Sequence, residues 1–232
     1  VRLGIPPVLW AGLDKELEKI VLHAQHVLQE AGIELVREDI PNLLELDSTI
    51  GPPISLHEAL TDIPAYLSAS GIDGVRLEDI FDGISSPDVK PVFGSIINGT
   101  YENEYRQVMA VRRPALQKLY ADYFRQNRVD AILFPTTIIP ATPIDIVHGS
   151  GDVSINGGPP MAAFAAYTRN TGPASNAGIP GLSIPVGKTA DGLPVGIEID
   201  GSLGSDERLL SLGLAMENVF GCLLGPKPWA GE

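Results

Sequence analysis

Apolar residues recur at helical spacing near the start of the chain, between two short apolar runs. The periodic segment begins after Asp14, a residue type favoured as a helix N-cap, and stops at Gly32, as helices often do. Residues 2–5 and 33–36 are apolar runs typical of strands. The order strand, helix, strand predicts a βαβ unit with parallel strands and a right-handed crossover. The apolar positions of the helix are Leu17, Ile20, Val21, Ala24, Val27, Leu28 and Ala31.

The second part of the chain predicts three more strands. Residues 131–134 are apolar throughout and favour a buried strand. Residues 182–186, also expected to be buried, and residues 193–199 flank an Asp-Gly pair, which predicts a hairpin because glycine supplies the positive φ of a tight turn. The preceding glycine- and proline-rich stretch, 171–180, is expected to be a loop. The pattern predicts an α/β fold: a mixed, mostly parallel sheet flanked by helices.

Several further helices are predicted between and after these strands. Residues 55–70 and 76–84 look helical, and Pro64 should bend or break the first. Apolar residues recur at helical spacing across residues 102–128, which predicts a long helix. Pro114 lies inside it and favours a kink or two consecutive helices. The remaining predictions are a short helix at 161–168 and a last helix that starts at Ser205 as N-cap and ends near Gly221.

The charge of the chain disfavours some classes of partner. There are 16 Lys and Arg against 29 Asp and Glu, a net charge of -13, which repels a phosphate backbone and argues against nucleic-acid binding. Apolar runs stay well short of the roughly 20 residues that a membrane helix needs. We therefore expect neither a nucleic acid nor a membrane as a partner.

The cysteine count bears on the cellular location of the protein, and the first residues bear on whether the chain is complete. Cys222 is the sole cysteine, so an internal disulfide is excluded, and with no leader pattern the cytoplasm is the expected location. The chain starts at Val1 inside what looks like a strand. We take this as an indication that it is part of a longer polypeptide.

No nucleophile motif is complete in this sequence. The run Gly181 to Pro185 approaches the G-x-S-x-G elbow, but proline ends it and a strand follows, so Ser183 is interpreted as a strand residue. Ser86 and Pro87 suit the start of a helix containing Lys90 better than a serine–lysine pair. Lys188 and Thr189 lack the glycine of a K-T-G motif.

The histidines give no metal or catalytic motif either. His23, His26 and Glu30 share a polar helix face and could face one ion, but a solvated face accounts for them. His57 and His148 stand outside any recognisable nucleophile pattern, although a base acts by its position in space. We assign no metal and no cofactor.

Two blocks of the sequence resemble the C-terminal half of the amidase signature family, which cleaves carboxamides with a lysine and two serines. The blocks are residues 130–144 and 171–196, and Glu207 with Leu209 and Leu210 follows the same pattern. The second block holds Thr171-x-Pro173, the run AGIPGLSIPVG from Ala177 and GLPVG from Gly192. The chain departs from the family at Ser175, where asparagine is common, with Asn176 beside it.

The resemblance implies that residues 1–232 are the C-terminal portion of one amidase domain, with 42–98 as a variable helical subregion that helps to shape substrate choice. The catalytic lysine and both serines would lie upstream, so this chain alone should be inactive. The implied reaction is serine attack on a small amide, release of ammonia or amine, and hydrolysis of the acyl-enzyme. The upstream half of the same polypeptide would be a partner, and a homodimer is left open.

The resemblance also implies that two loops of this chain form a wall of the acyl pocket. One follows the strand at 131–134, and ligands in α/β folds collect at the carboxyl ends of strands. An apolar wall of Ile138, Ile139, Phe164 and Ile179 would favour aryl-acetamide-type substrates. The expected substrate-binding residues are Phe134, Thr136, Thr137, Thr171, Ser175, Asn176 and Ile179.

Two other functions remain open from the sequence. The chain is also similar to the A subunit of tRNA-dependent amidotransferases, which would require partner subunits. A non-catalytic module that holds a small ligand with the same two loops is the third hypothesis.

Overall fold

The computed structural model describes residues 1–87, 89–145 and 151–221. His148 and Cys222, both considered above, lie outside the described residues. Within them, the main sheet has five strands in the order β2-β1-β3-β7-β6. The strands are β1 (Arg2–Gly4), β2 (Glu34–Val36), β3 (Ala131–Pro135), β6 (Gly181–Lys188) and β7 (Pro194–Asp200), and a separate two-stranded ribbon pairs β4 (Asp152–Val153) with β5 (Met161–Ala162).

The predicted mixed, mostly parallel sheet is confirmed. Strand β1 pairs in parallel with both β2 and β3, so the predicted βαβ unit is present. Strand β7 runs antiparallel to β3 and to β6, so β6 points the same way as β1, β2 and β3. The turn before β7 has Gly192 at φ 83, as the Asp-Gly pattern predicts.

Helices surround this sheet in the described parts of the chain. Asp14 caps α2 as predicted, because its carboxylate accepts hydrogen bonds from the backbone N–H groups of Glu16 and Leu17. The helices are α1 (Pro7–Trp10), α2 (Lys15–Glu30), α3 (Leu43–Ser48), α4 (Gly51–Ala69), α5 (Leu77–Gly83), α6 (Val89–Ile97), α7 (Glu102–Gln107), α8 (Arg113–Asn127), α9 (Ala163–Thr168), α10 (Gly172–Ala177) and α11 (Asp206–Phe220).

Around Pro114 the sequence predicts a kink or two consecutive helices, and the structure has two helices. Helices α7 and α8 are joined without a break by a π-helical turn, Val108–Arg112, and Pro114 lies in the first turn of α8. On α7, Tyr105 stacks on His57 of α4 with ring centroids 4.2 Å apart. Its hydroxyl donates to Glu58 Oε1 at 2.9 Å. These two contacts fix the rotation of α7 about its own axis relative to α4.

Other sequence predictions are wrong in detail. The stretch 171–180 is not a loop throughout, because α10 occupies its first half, with Pro173 in the first turn and Gly178 as a left-handed C-cap at φ 74. Strand β6 is at the sheet edge, and Ile184 is its sole buried residue. Helix α4 is not broken at Pro64, and part of the helix expected at 161–168 is strand β5.

The core lies on both faces of the main sheet. On one face, Ile132 and Phe134 pack with residues of α8 and α3, including Tyr120, Leu116 and Leu43. On the other face, β3, β6 and β7 contribute alternate residues that pack against α2 and α11. A third cluster joins α2 to the segment after β3. The first face matters most below, because it also carries the polar side chains of the sheet.

Candidate functional site

Asn170 connects the two segments that the sequence singles out. Its side chain is fully buried, and its Nδ2 donates to the carbonyl of Pro135 at 2.7 Å and to that of Leu9 at 3.0 Å. Pro135 ends β3, and Asn170 lies two residues before α10. The segment 134–137 and α10 are thus held together at the carboxyl end of β3.

Arg169 supports the same junction. Its guanidinium donates to the carbonyl of Ala11 at 2.8 Å, and its Nε donates to Asn170 Oδ1 at 3.0 Å, which leaves the asparagine amide N–H groups to face the two carbonyls. Burial lowers the pKa of Arg169 to about 10, so the side chain remains a cation at neutral pH. The α9–α10 connection is therefore anchored by a charged donor and a buried amide.

Two hydroxyl groups meet on the sheet face beside this junction. Thr136 Oγ1 lies 2.6 Å from Ser183 Oγ, across the strand β7 that separates them. They meet above Gly196, where a methyl group would lie 2.7 Å from Ser183 Oγ and 3.0 Å from Thr136 Oγ1. A serine becomes a strong nucleophile only beside a base, and this hydrogen bond joins two neutral hydroxyls. The pair suits positioning or hydrogen bonding to a ligand.

Helix α10 is fixed by side chains from α3 and α8. Asn176 Nδ2 donates to Asp47 Oδ1 at 2.7 Å, and the backbone carbonyls of Asn176 and Ala177 accept from Arg113 and Gln117 at 3.0 and 2.9 Å. Burial raises the pKa of Asp47, and the bond from Asn176 partly offsets this shift. These contacts hold α10 and its neighbour Ile179 over the groove described next.

A groove of about 620 Å³ opens between α8, the end of α10 and the segment after β7. Most of its exposed lining surface is apolar and comes from residues that include Tyr120, Phe124, Ala177, Ile179 and Leu203, and the polar side chains of Gln117, Lys118, Arg125 and Ser202 also line it. Such a lining suits an apolar or aromatic group. Among the predicted residues, Ile179 is the one that lines it.

Two carboxyl groups of β7 lie on the same face of the sheet as the hydroxyls of Thr136 and Ser183. Asp200 is fully buried and Glu198 is 8% exposed, and burial raises both pKa values, that of Glu198 to about 7. The neighbouring charge of Glu198 also raises the pKa of Asp200. Burial raises the pKa of the Tyr120 hydroxyl, and the charge of Asp200 adds to this shift. Thr136, Ser183, Glu198 and Asp200 form a polar row across the sheet, here called the polar row.

The seven predicted substrate-binding residues divide by environment. Phe134 is fully buried, so its side chain belongs to the core and offers no surface to a ligand. The hydroxyls of Thr137 and Thr171 donate to the carbonyls of Ile139 and Thr168, and Asn176 is bonded to Asp47, as described. Ser175 is exposed on α10, Thr136 belongs to the polar row, and Ile179 lines the groove.

The predicted apolar wall is wrong as a single surface. Ile138 and Ile139 are buried in the third core cluster, whereas Ile179 packs on the first. Phe164 is 78% exposed on α9. Ile138 and Ile139 pack toward α2, whereas Ile179 packs toward α8, so these side chains do not share one surface.

The sequence interpretation missed Arg169, Asn170, Glu198 and Asp200. A signal was present for the last two, because two acidic residues alternate in the otherwise apolar strand β7 and must share one face.

His26 of the helix face considered for a metal lies 3.3 Å from Glu30 on the surface. Among the described residues, no helix has the length and apolar character that crossing a bilayer requires.

Comparison with known proteins identifies the family. The family description "Amidase" matches residues 1–210. Mandelamide hydrolase of Pseudomonas putida is 35% identical, over 98% of this chain and 45% of its own length. Indoleacetamide hydrolase of Agrobacterium vitis is 40% identical, over 95% of this chain and 47% of its own length.

A solved structure agrees with these relatives. A crystal structure described as an amidase superposes with a TM-score of 0.74 at 26% identity, over 95% of this chain and 46% of its own chain. This chain thus spans about half the length of the curated relatives it matches. The matched length, the two relatives and the shared fold together establish that the chain belongs to the amidase signature family.

Proposed function

We propose that this chain is the C-terminal, pocket-forming part of a serine amidase that hydrolyses small carboxamides to the acid and ammonia or amine. The observation that carries the proposal is 35 and 40% identity, over nearly all of this chain, to two hydrolases named for carboxamides. The attacking serine, the bridging serine and the lysine lie in residues outside this chain. This chain provides the scaffold and one wall of the pocket.

The substrate class that we propose is the aryl-acetamides. Mandelamide and indoleacetamide, the compounds in the names of the two relatives, each carry an aromatic ring next to a short carboxamide arm. The groove beside Ile179 has an apolar lining that suits a ring. The polar row supplies hydroxyls at the carboxyl end of β3, where a carboxamide could accept or donate a hydrogen bond.

In this proposal the reaction needs no cofactor. A serine oxygen attacks the amide carbon, the lysine and the bridging serine pass its proton to the leaving nitrogen, and ammonia departs. Water then attacks the acyl-enzyme, the acid is released and the serine regains its proton. The role of this chain is to hold the acyl group, which requires that the Asn170 junction keep α10 at a fixed distance from Thr136.

The test uses the full-length protein and this chain side by side. Ammonia release from mandelamide, indoleacetamide and an aliphatic amide of similar size is measured for both. A fluorophosphonate probe, which labels activated serines, is then added, and the labelled peptide is identified by mass spectrometry. Ser183→Ala serves as the matched variant, because Ser183 is the serine of the polar row.

The expected result is ammonia release by the full-length protein alone, with faster turnover of the two aryl amides and a label outside this chain. Ser183→Ala should retain the label. A label on Ser183, or turnover by this chain alone, would contradict the assignment of the catalytic residues. A full-length protein that releases no ammonia from any carboxamide would overturn the proposed function.

A further inference from the structure

Asp47 and Asn176 connect the subregion 42–98 to helix α10 at close range. Asp47 lies on α3, and its Oδ1 accepts a hydrogen bond from Asn176 Nδ2 on α10 at 2.7 Å. Its other oxygen lies over Gly172, where a methyl group would be 3.0 Å from Oδ2. Gly172 and Asn176 are one helical turn apart and share one face of α10. The carboxylate of Asp47 therefore lies along this face of the helix.

The first residue of α4 contacts the same amide. A methyl group at Gly51 would lie 3.0 Å from Asn176 Nδ2, so the side chain of Asn176 fits between Asp47 and Gly51. A side chain at Gly51 or at Gly172 would need space that the Asp47–Asn176 pair occupies. These four residues, Asp47, Gly51, Gly172 and Asn176, are here called the α3–α10 joint.

Helix α4 has little buried surface of its own to hold it in place. Among its nineteen residues, all of which the structure describes, Pro53 alone is buried. Tyr105 of α7 contacts α4 through Glu58, and the α3–α10 joint contacts it at Gly51. A segment with few buried contacts is locally less stable and depends on such specific contacts. The position of α4 relative to α10 therefore depends on the joint.

Helix α10 also leads directly into the wall of the groove. Ala177 and Ile179, at its end and just beyond it, line the groove, and Ala177 follows Asn176. From the α8 side, Arg113 and Gln117 donate to the carbonyls of Asn176 and Ala177. The end of α10 is thus held between α8 and Asp47. Loss of the contact on one side would let Ala177 and Ile179 shift.

We propose that Asp47 is a positioning residue for the acyl group: through Asn176 it fixes α10 against the subregion 42–98 and so sets how well the groove fits an aromatic ring. The inference rests on the proposed function, which assigns the groove to the ring of an aryl-acetamide. Asp47 acts through Asn176 and touches no reacting atom. Its loss should weaken the binding of a ring-bearing amide and change the turnover of a small amide much less.

The test compares two substrates of the full-length protein. The values of kcat and KM are measured for indoleacetamide and for propionamide, which has no ring, and the ratio of the two kcat/KM values is the aryl preference. Asp47→Ala removes the contact and leaves Asn176 unpaired, whereas Asp47→Ala with Asn176→Ala removes both partners. Asp73→Ala, an exposed aspartate in the same subregion, is the matched control. The melting temperature of each protein is measured in parallel.

Two further variants test the hydrogen bond itself. Asn176→Asp places a second carboxylate against Asp47 and should lower both the aryl preference and the melting temperature. Adding Asp47→Asn to this variant restores the bond with donor and acceptor exchanged, because the new amide at position 47 donates to the new carboxylate at position 176. Recovery in this double variant reports the coupling between the two positions.

Asp47→Ala should lower the aryl preference about tenfold, mainly through a higher KM for indoleacetamide, because a small misplacement of a pocket wall has an effect of this order. Loss of folded protein cannot imitate this result, since it lowers the apparent kcat for both amides equally. The variant that lacks both partners should melt above Asp47→Ala, because no polar group is left unpaired, yet show the same loss of aryl preference. Asp73→Ala should leave the aryl preference unchanged.

An unchanged aryl preference in the variant that lacks both partners overturns the inference, whatever the melting temperatures show. So does an exchanged pair that recovers stability without recovering the aryl preference. If Asp47→Ala does not fold, these two double variants decide.

The wild type separates this inference from the proposed function. An active wild type whose aryl preference is the same in every variant keeps the amidase and removes the positioning role of Asp47. A wild type that hydrolyses both amides without preference keeps the amidase but removes the ring assignment and this inference together. A wild type that hydrolyses no carboxamide overturns the proposed function and this inference with it.

Discussion

Replacement of Asn170 tests whether one buried amide holds the candidate pocket together. The side chain is fully buried and makes two donor bonds, to the carbonyls of Leu9 and Pro135 at 3.0 and 2.7 Å, and one acceptor bond, from Arg169 at 3.0 Å. Asn170→Ala removes all three bonds. Asn170→Asp keeps the acceptor and replaces the donors by an oxygen that faces two carbonyl oxygens.

The expected loss follows from the groups left without partners. Each buried polar group deprived of its hydrogen bond costs about 1–3 kcal/mol, and Asn170→Ala leaves two carbonyls in this state. Arg169 still reaches Leu9 at a longer 3.4 Å, which compensates in part. We therefore expect Asn170→Ala to lower the free energy of unfolding by roughly 2–4 kcal/mol. Asn170→Asp should cost more, because a carboxylate would be buried against two acceptors.

Urea unfolding of the full-length protein measures this effect, with Asn98→Ala, an exposed asparagine, as the control. In the proposed amidase, the same variants should raise KM for a carboxamide more than they lower kcat, because α10 would move while the proposed catalytic serine, outside this chain, is untouched. A change of less than about 0.5 kcal/mol for Asn170→Ala, as for ordinary surface substitutions, would refute the reasoning. So would an Asn170→Asp variant more stable than Asn170→Ala.

Two further predictions concern the polar row. Gly196→Ala should lower the free energy of unfolding of the full-length protein by about 1–3 kcal/mol, since its methyl group would lie 2.7 Å from Ser183 Oγ. Adding Ser183→Ala should recover part of this loss. Equal losses with and without Ser183→Ala would contradict the contact. In this chain by itself, burial raises the pKa of Glu198 from 4.5 to about 7. Between these two pH values the folded state holds a proton that the unfolded state has lost. The free energy of unfolding therefore falls as the pH rises through this range. Urea unfolding below and above the range should show this fall in the wild type relative to Glu198→Gln, and a constant difference between the two proteins would show that Glu198 does not titrate there.

Elements with local signals could be predicted from the sequence. The Asp14 cap, the apolar period of α2 and the Asp191-Gly192 turn each act within a few residues, and all three form as expected. Helix α10 was missed because six residues are too few to show a period. Its Gly172, Pro173 and Gly178 are also typical of loops, although each suits a helix end.

The candidate site could be predicted only in part, because its contacts join distant residues. The partners of Asn170 are 161 and 35 residues away in sequence, at Leu9 and Pro135, and no local pattern indicates them. Phe134 was expected at the pocket because it ends an apolar strand near Thr136. The two residues share one face of the sheet, but α3 and α8 cover Phe134, whereas Thr136 lies beyond the end of β3 and is partly exposed.

The π-helical turn between α7 and α8 makes this connection tolerant of a change in length. A π turn takes up one residue more than an α turn, so deleting a single residue such as Ala110 would let the whole segment close into a regular α-helix. Because the extra residue is wound into the turn, helix α7 would keep nearly its present orientation relative to α8. Tyr105 would stay against His57 and Glu58. In an ordinary α-helix the same deletion would rotate one half by about 100° relative to the other and separate such a contact.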